Sequence, residues 1–381
     1  MAGSAPVAGP DEAHPAPVVA SSPSPGSWHL RGTVLPGTEP VDLWLAGGVV
    51  ADGPVPGAVT IAEDVWILPG LVDAHCHIGL GASGQVDRAT AERQALTDRD
   101  SGVLLIRDAG APVDTHWVDD RADLPRVIRA GRHIARPRRY LRDFAVEIDP
   151  EDLVGQVEAQ ARAGDGWVKL VGDWIDRDAG DLAPLWPAAL TRDAIARAHE
   201  LGARVTAHCF AEQSVAELVD AGIDCIEHGT GLTGSVIERM AAAGIGLVPT
   251  MTNLENFPVF ADAGQTKFPA YASHMRHLHA RRFETLGAAR EAGVPVYAGT
   301  DAGGTLGHGR IAQEVALLAQ LGGVEFALGA ASWRAREWLG AEVLSAGASA
   351  DLVVYDADPR RDPGVLAHPG LVVLRGRPVG R

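Results

Sequence analysis

Between Leu71 and Asp301 the chain alternates between short apolar runs and stretches of helical texture. The apolar runs are LVDAHCH, GVLLIRDAG, RVIRAGRHI, WVKLVGD, ARVTAHC, IDCIEHG, IGLVPT and VPVYAGTD. Most are near-continuously apolar, the pattern of strands buried on both faces. The stretches 150–163, 191–202, 211–221, 233–243, 271–292 and 310–320 read as helices, and the weakest helical pattern is the one before RVIRAGRHI. In TRDAIARAHELG, Thr191 is the expected N-cap and Gly202 the stop. Strands alternating with helices in this way predict an α/β fold, a (β/α)8 TIM barrel over residues 69–344.

The two ends read differently. Residues 27–68 hold short apolar runs broken by turns, in HLRGTVL, VDLWLAGGVVADG and GAVTIAEDVWIL. The same texture returns in 345–381, in ADLVVYDADP and HPGLVVLRGRPVG. Neither end has enough strands for a sheet with its own core. The two are therefore expected to pair into one small β-sandwich domain. Residues 1–26 are rich in Ala, Pro, Ser and Gly, without the basic start and apolar centre of a secretory signal, and read as a disordered tail.

Charge and composition narrow the function. With 49 acidic against 33 basic residues and a net charge of −16, the chain lacks the basic footprint of a nucleic-acid or anionic-membrane binder. No stretch approaches the roughly 20 apolar residues of a membrane span. Cysteines at 76, 209 and 225 make no disulfide framework and suit a reducing, cytoplasmic setting. Only two of the 33 basic residues are lysines, Lys169 and Lys267. A lysine kept inside an apolar strand of so arginine-rich a chain is informative.

Chemistry in a (β/α)8 barrel sits at the C-terminal ends of the strands. Read in order, those ends carry His75 and His77, then Lys169, His208, His228 and Asp301. His75 and His77 are two apart, so on a strand both face one way and Cys76 the other. Cys209 is likewise expected to face away from the lumen, and Cys225 to lie in the core. Each residue alone has a plainer reading: hydrogen-bonded histidines, a lysine reaching out along a strand, an N-capping aspartate. Five separate coincidences at strand ends weigh less than one metal site.

The set resembles the metal-dependent amidohydrolase superfamily in its two-metal form. The resemblance rests on HCH at 75–77, Lys169 in WVKLVGD, His208 in TAHC, His228 in IEHGT and Asp301 in GTDAG, with ILPGLVDAH and GASADLVVYDADP around them. The flanking text resembles the imidazolonepropionase-like branch, which includes Xaa-Pro and Xaa-Arg dipeptidase-like enzymes. The resemblance implies that His75, His77 and Asp301 bind one cation and His208 and His228 a second, with Lys169 bridging both as a carbamate. Lysine can form a carbamate once burial frees its amine of a proton, and arginine cannot. Zinc suits the mixed nitrogen and oxygen donors.

The implied function is a binuclear hydrolase cleaving the C–N bond of a small linear amide, a dipeptide or N-acyl amino acid, by attack of a metal-bridging hydroxide. Asp301 would carry the proton to the leaving nitrogen and His228 would help polarise the carbonyl. A cyclic amide or lactone hydrolase uses the same ligands, and a catalytically silent binding barrel would lack some of them.

For substrate contacts, the loop ARPRRYLRDF offers Arg138, Arg139 and Tyr140 to a carboxylate. Asp173 and Trp174 follow the lysine strand, Asn253 follows strand seven and His308 strand eight. His274, His277 and His279 are expected on the surface of a helix. Oligomeric state is left open, a homo-oligomer being common among such enzymes.

Overall fold

The computed structural model describes residues 26–379. The tail expected at 1–26 lies outside these residues, Gly26 aside. The middle of the chain carries strands Leu71–Cys76, Val103–Asp108, Arg126–Arg129, Ile134–Ala135, Trp167–Val171, Arg204–Cys209, Cys225–His228 and Gly246–Val248. Helices Arg88–Asp100, Leu153–Ala163, Ala188–Glu200, Glu212–Asp220, Gly234–Ala243 and Pro269–Glu291 lie between and after them. These strands pair in parallel, giving a TIM-barrel-like α/β architecture.

The ladders form two blocks rather than one continuous sheet. The third expected strand divides: Arg126–Arg129 pairs with Val103–Asp108, and Ile134 pairs with Leu170. The eighth makes no ladder. Its segment is held by single bridges, Val296 to Leu247 on one side and Ala302 to Cys76 on the other. The amide of Ala74 donates to the Ala298 carbonyl and that of His77 to the Ala302 carbonyl, both at 2.8 Å. Asp301 adopts a left-handed φ of +58°, which ends the extended conformation where a ladder would have to continue. Gly299 lets this segment sit tight against strand one, since a Cβ there would lie 2.8 Å from the His75 nitrogen.

Two local expectations change. Thr191 lies within its helix, which begins at Ala188 behind Pro187, and the Thr191 hydroxyl donates to the Pro187 carbonyl at 3.2 Å. The fixed φ of proline starts the helix earlier than the hydroxyl does. Before strand three there is only a single 3₁₀ turn, His116–Val118.

Seven strands from both chain ends form one sheet. Val59–Pro69 lies at its centre, parallel to Trp28–Val34 on one side and antiparallel to Leu352–Tyr355 on the other. Because this 11-residue strand is paired on both flanks, all seven strands are hydrogen-bonded into one continuous sheet. Alternation then divides its residues. Leu30, Leu45, Ile67, Leu352 and Val354 gather on one face. Leu68, Val353, Tyr355 and Leu374 pack into the main core.

Between the two blocks of strands, Val72, Ala74, Leu105, Ala130, Trp167, Cys225 and Val248 form one interior cluster, packed against Ala335 and Trp338 of the helix Trp333–Trp338. Burying side chains of Val or Leu size contributes roughly 1.5–3 kcal/mol each. The opposite end, where the strands finish, carries the polar groups. No helix among the described residues is long and apolar enough to cross a membrane.

Candidate active site

Strand geometry places each polar group. Val72 and Ala74 face the lumen. The register then slips, Asp73 standing opposite Ile106 and Cys76 opposite Asp108, so strand one has one residue more than its neighbour. This bulge reverses the phase. His75 and His77 turn inward, and Cys76 packs into the outer core. On strand four Trp167 and Lys169 alternate with the outward Val168 and Leu170. On strand five Thr206 and His208 alternate with the outward Val205, Ala207 and Cys209. His228 directly follows the inward Glu227 and would face outward in a regular strand. Its φ of +66° swings it back to the site. Left-handed backbone at His228, Thr250 and Asp301 clusters at the ends of three successive strands, the kind of local strain that functional sites hold in place.

The six expected groups converge. The Nε2 atoms of His75 and His77 lie 3.2 and 3.0 Å from Asp301 Oδ1. His208 Nδ1 lies 3.0 Å from His228 Nε2. The two sets adjoin, with the His75 and His228 rings 5.4 Å apart. Lys169 is 1% exposed and its Nζ has no hydrogen-bond partner. Burial lowers the pKa of its amine. Burial also holds His208 well below the usual histidine range and His228 down at about 3, with neighbouring positive charge adding to both. Neutral imidazoles and a partnerless amine are ready to bind a cation rather than a proton. Asp301 is ionised: burial works against it, but His75, His77 and His228 hold its pKa well below the carboxylate range.

The outward nitrogens of the imidazoles are occupied or faced by acceptors. His75 Nδ1 meets Glu227 Oε2 at 2.6 Å and His77 Nδ1 meets the Gly110 carbonyl at 2.7 Å. Both partners only accept, so each ring carries a proton on Nδ1 and turns its Nε2 to the site. His228 Nδ1 is 2.6 Å from Thr250 Oγ1. His208 Nε2 and Asp173 Oδ1 lie 3.8 Å apart, both without hydrogen bonds. Asp173 otherwise accepts from the amides of Phe210 and Ala211 at 2.9 and 2.7 Å, fixing the loop after strand five. Burial raises its pKa to about 6. Asp73 ties strand one to the eighth segment by accepting from the amides of His75 and Thr300 at 3.1 and 3.0 Å.

A cavity of about 680 Å³ opens beside these groups, lined by His77, His208, Asn253 and Asp301 at its floor and largely by aromatic and aliphatic side chains above. Tyr140 and Trp174 are in its wall, their rings 5.0 Å apart and each 5.7 Å from that of His208. Asn253 donates to Asp301 Oδ2 at 2.7 Å. The turn just before it is held by Glu314, which accepts from the amides of Met251 and Thr252 at 2.9 and 2.8 Å.

Other expected contacts lie elsewhere. Arg139 turns from the cavity because Asp176 binds its guanidinium at 2.8 Å. Arg138 is exposed. His308 is held outside the cavity by Asp98, at 2.7 Å. His274 is half-buried between Asp181 and Glu212, both at 3.0 Å, while His277 is exposed and His279 intermediate.

His133 joins the site without having been singled out. It is 1% exposed, lines the cavity, and its ring lies 5.0 Å from His77 and 5.4 Å from Tyr140. Burial first, then His77, drives its pKa far down, so it is neutral. Its signal in the sequence was a histidine at the end of an apolar run, the criterion applied to the other strands.

Comparison with known proteins agrees with this arrangement. Residues 66–379 match the model of the amidohydrolase family. Uncharacterised proteins of Mycobacterium tuberculosis and Mycobacterium bovis are 58% identical over 354 residues, covering 92% of this chain and 95% of theirs. Among solved structures, a Xaa-Pro dipeptidase with methionine bound in its active site is 20% identical with a TM-score of 0.78, covering 93% of this chain and 100% of its own. An ochratoxinase from A. niger is 18% identical with a TM-score of 0.76, covering 93% and 96%. A match over most of the chain settles the family: the protein belongs to the amidohydrolases and is a hydrolase acting on carbon–nitrogen bonds.

Proposed function

We propose that the protein is a binuclear metal-dependent hydrolase of small linear amides, dipeptides or N-acyl amino acids. The observation that carries this reading is Lys169: a buried, partnerless amine in a floor of four histidines and an aspartate. The donor set fits two divalent cations, zinc by preference, one held by His75, His77 and Asp301 and one by His208 and His228, with Lys169 as a carbamate between them. Such cations supply Lewis acidity and bring the pKa of a shared water to about 7.

The chain's own groups do the rest. Asp301 accepts the proton of the attacking water and returns it to the leaving nitrogen. Asn253, bonded to Asp301 Oδ2, keeps that carboxylate aimed while it does so. His228 assists polarisation of the carbonyl. His133, neutral and at the cavity wall, is placed to hydrogen-bond the substrate. Tyr140 and Trp174 give an aromatic surface for an apolar side group. Arg142 and Lys267 also line the cavity, neither in an ion pair among the described residues, and offer charge to a substrate carboxylate.

Solved relatives include a prolidase complexed with N-methylphosphonate-L-proline, which supports an acyl-amino-acid class of substrate for the shared fold. The test is turnover by zinc-loaded enzyme on a panel of dipeptides, N-acyl amino acids, hydantoins and lactones. Hydrolysis of linear amides with apolar side groups is expected, and activity on rings alone rejects the proposal.

A further inference from the structure

Beneath the site lies a charged layer that no step above uses. Glu227 is fully buried, and both of its carboxylate oxygens are engaged. Oε2 takes the proton on His75 Nδ1 at 2.6 Å, and Oε1 accepts from Arg107 Nη2, also at 2.6 Å, and from the Thr206 hydroxyl. Arg107 is equally buried, its Nε donating to the Ala74 carbonyl at 2.7 Å. Its guanidinium stacks 4.6 Å from the Trp167 ring and 5.1 Å from that of Trp338. Taking two opposite charges out of water is costly, and a buried pair is weak evidence of stability for its own sake.

We propose that Arg107 and Glu227 are positioning residues for the cation held by His75, His77 and Asp301, and that they act on that cation selectively. The argument is one of charge and tautomer. Arginine does not give up its proton, and Glu227 Oε1 meets that fixed positive charge at 2.6 Å. An ionised carboxylate only accepts. His75 Nδ1 therefore donates to Glu227, which fixes the ring with Nε2 as the atom turned to the site and to Asp301 Oδ1. The same carboxylate makes the imidazole a stronger donor to a cation. The three strands Leu71–Cys76, Val103–Asp108 and Cys225–His228 supply His75, Arg107 and Glu227. One side-chain chain thus joins the first, second and sixth strands below the ligands. His208, which faces Asp173, and His228, which bonds Thr250, have their outward nitrogens elsewhere and do not depend on this layer.

This inference rests on the two-cation reading, and the experiment separates the two. Metal-free wild type, Glu227→Gln and Thr206→Val are titrated with zinc against a chromophoric chelator, alongside thermal unfolding. Wild type takes up two equivalents; uptake of none rejects the two-cation reading itself. In Glu227→Gln one equivalent is expected to weaken roughly 10–100-fold while the other is unchanged. Thr206→Val removes a single hydrogen bond to the same carboxylate. It is expected to weaken the same equivalent by less and to stay folded, so the test survives if the glutamine variant does not fold. Unchanged affinities in both variants, or equal weakening of both equivalents, overturns the proposal.

Discussion

At Lys169, burial and reactivity are the same fact. An ammonium with no partner is costly in a dry interior, so burial lowers its pKa, and the neutral amine can then react with carbon dioxide. Replacing Lys169 with Met should leave the fold intact and abolish turnover, and intact-mass analysis of zinc-loaded wild type in bicarbonate should show one carbon dioxide adduct that the variant lacks. Asp301→Asn keeps the shape of the side chain and removes its basicity. The expected kcat loss is roughly 10²–10⁴-fold with a native circular-dichroism spectrum; unchanged turnover would show that another group carries the proton.

At the scale of elements, the side chains that cluster at the cavity floor were readable because a strand exposes alternate residues and a barrel gathers strand ends on one face. That logic found His75, His77, Lys169, His208 and Asp301. It did not find why His75 faces inward, which depends on a bulge between Asp73 and Cys76, or why His228 does, which depends on a left-handed backbone. Neither a bulge nor a positive φ at a non-glycine residue leaves a compositional mark. Arg107 and Glu227 did leave one: opposite charges in the middle of apolar runs have to meet each other. The eighth segment misled because VPVYAGTD has strand composition, while its pairing is limited to bridges beside Gly299. Gly299→Ala would push a methyl against the His75 backbone. It should destabilise the fold by roughly 1–3 kcal/mol in denaturant unfolding and weaken zinc binding, whereas an unaffected variant would show that the close approach is not required.

Across the whole molecule, charged clamps join distant elements. His274, on the helix Pro269–Glu291, binds Asp181 of the strand Asp181–Pro184 and Glu212 of the helix Glu212–Asp220. The Glu212 bond first, against opposing burial, and then Asp181 raise its pKa to about 9. A raised folded-state value means that its stabilisation is complete below an unfolded pKa of about 6.5 and fades as pH rises through about 9. The stability gap between wild type and His274→Ala should therefore be constant between about pH 5 and 6.5, where both carboxylates are ionised, and close between pH 7 and about 10, and a pH-independent gap would show that the clamp is not ionic. The two chain ends also act on the whole, because Leu352–Tyr355 pairs antiparallel with Val59–Pro69 and so joins the C-terminal strands to the N-terminal ones in one sheet. The central claim concerns two cations on one floor. The most direct measurement is the anomalous difference map of zinc-loaded crystals. The account predicts two peaks, one among His75, His77 and Asp301 and one at His208 and His228, with carboxylated Lys169 between them. No peak there, or two peaks flanking an unmodified Lys169 amine, would contradict it.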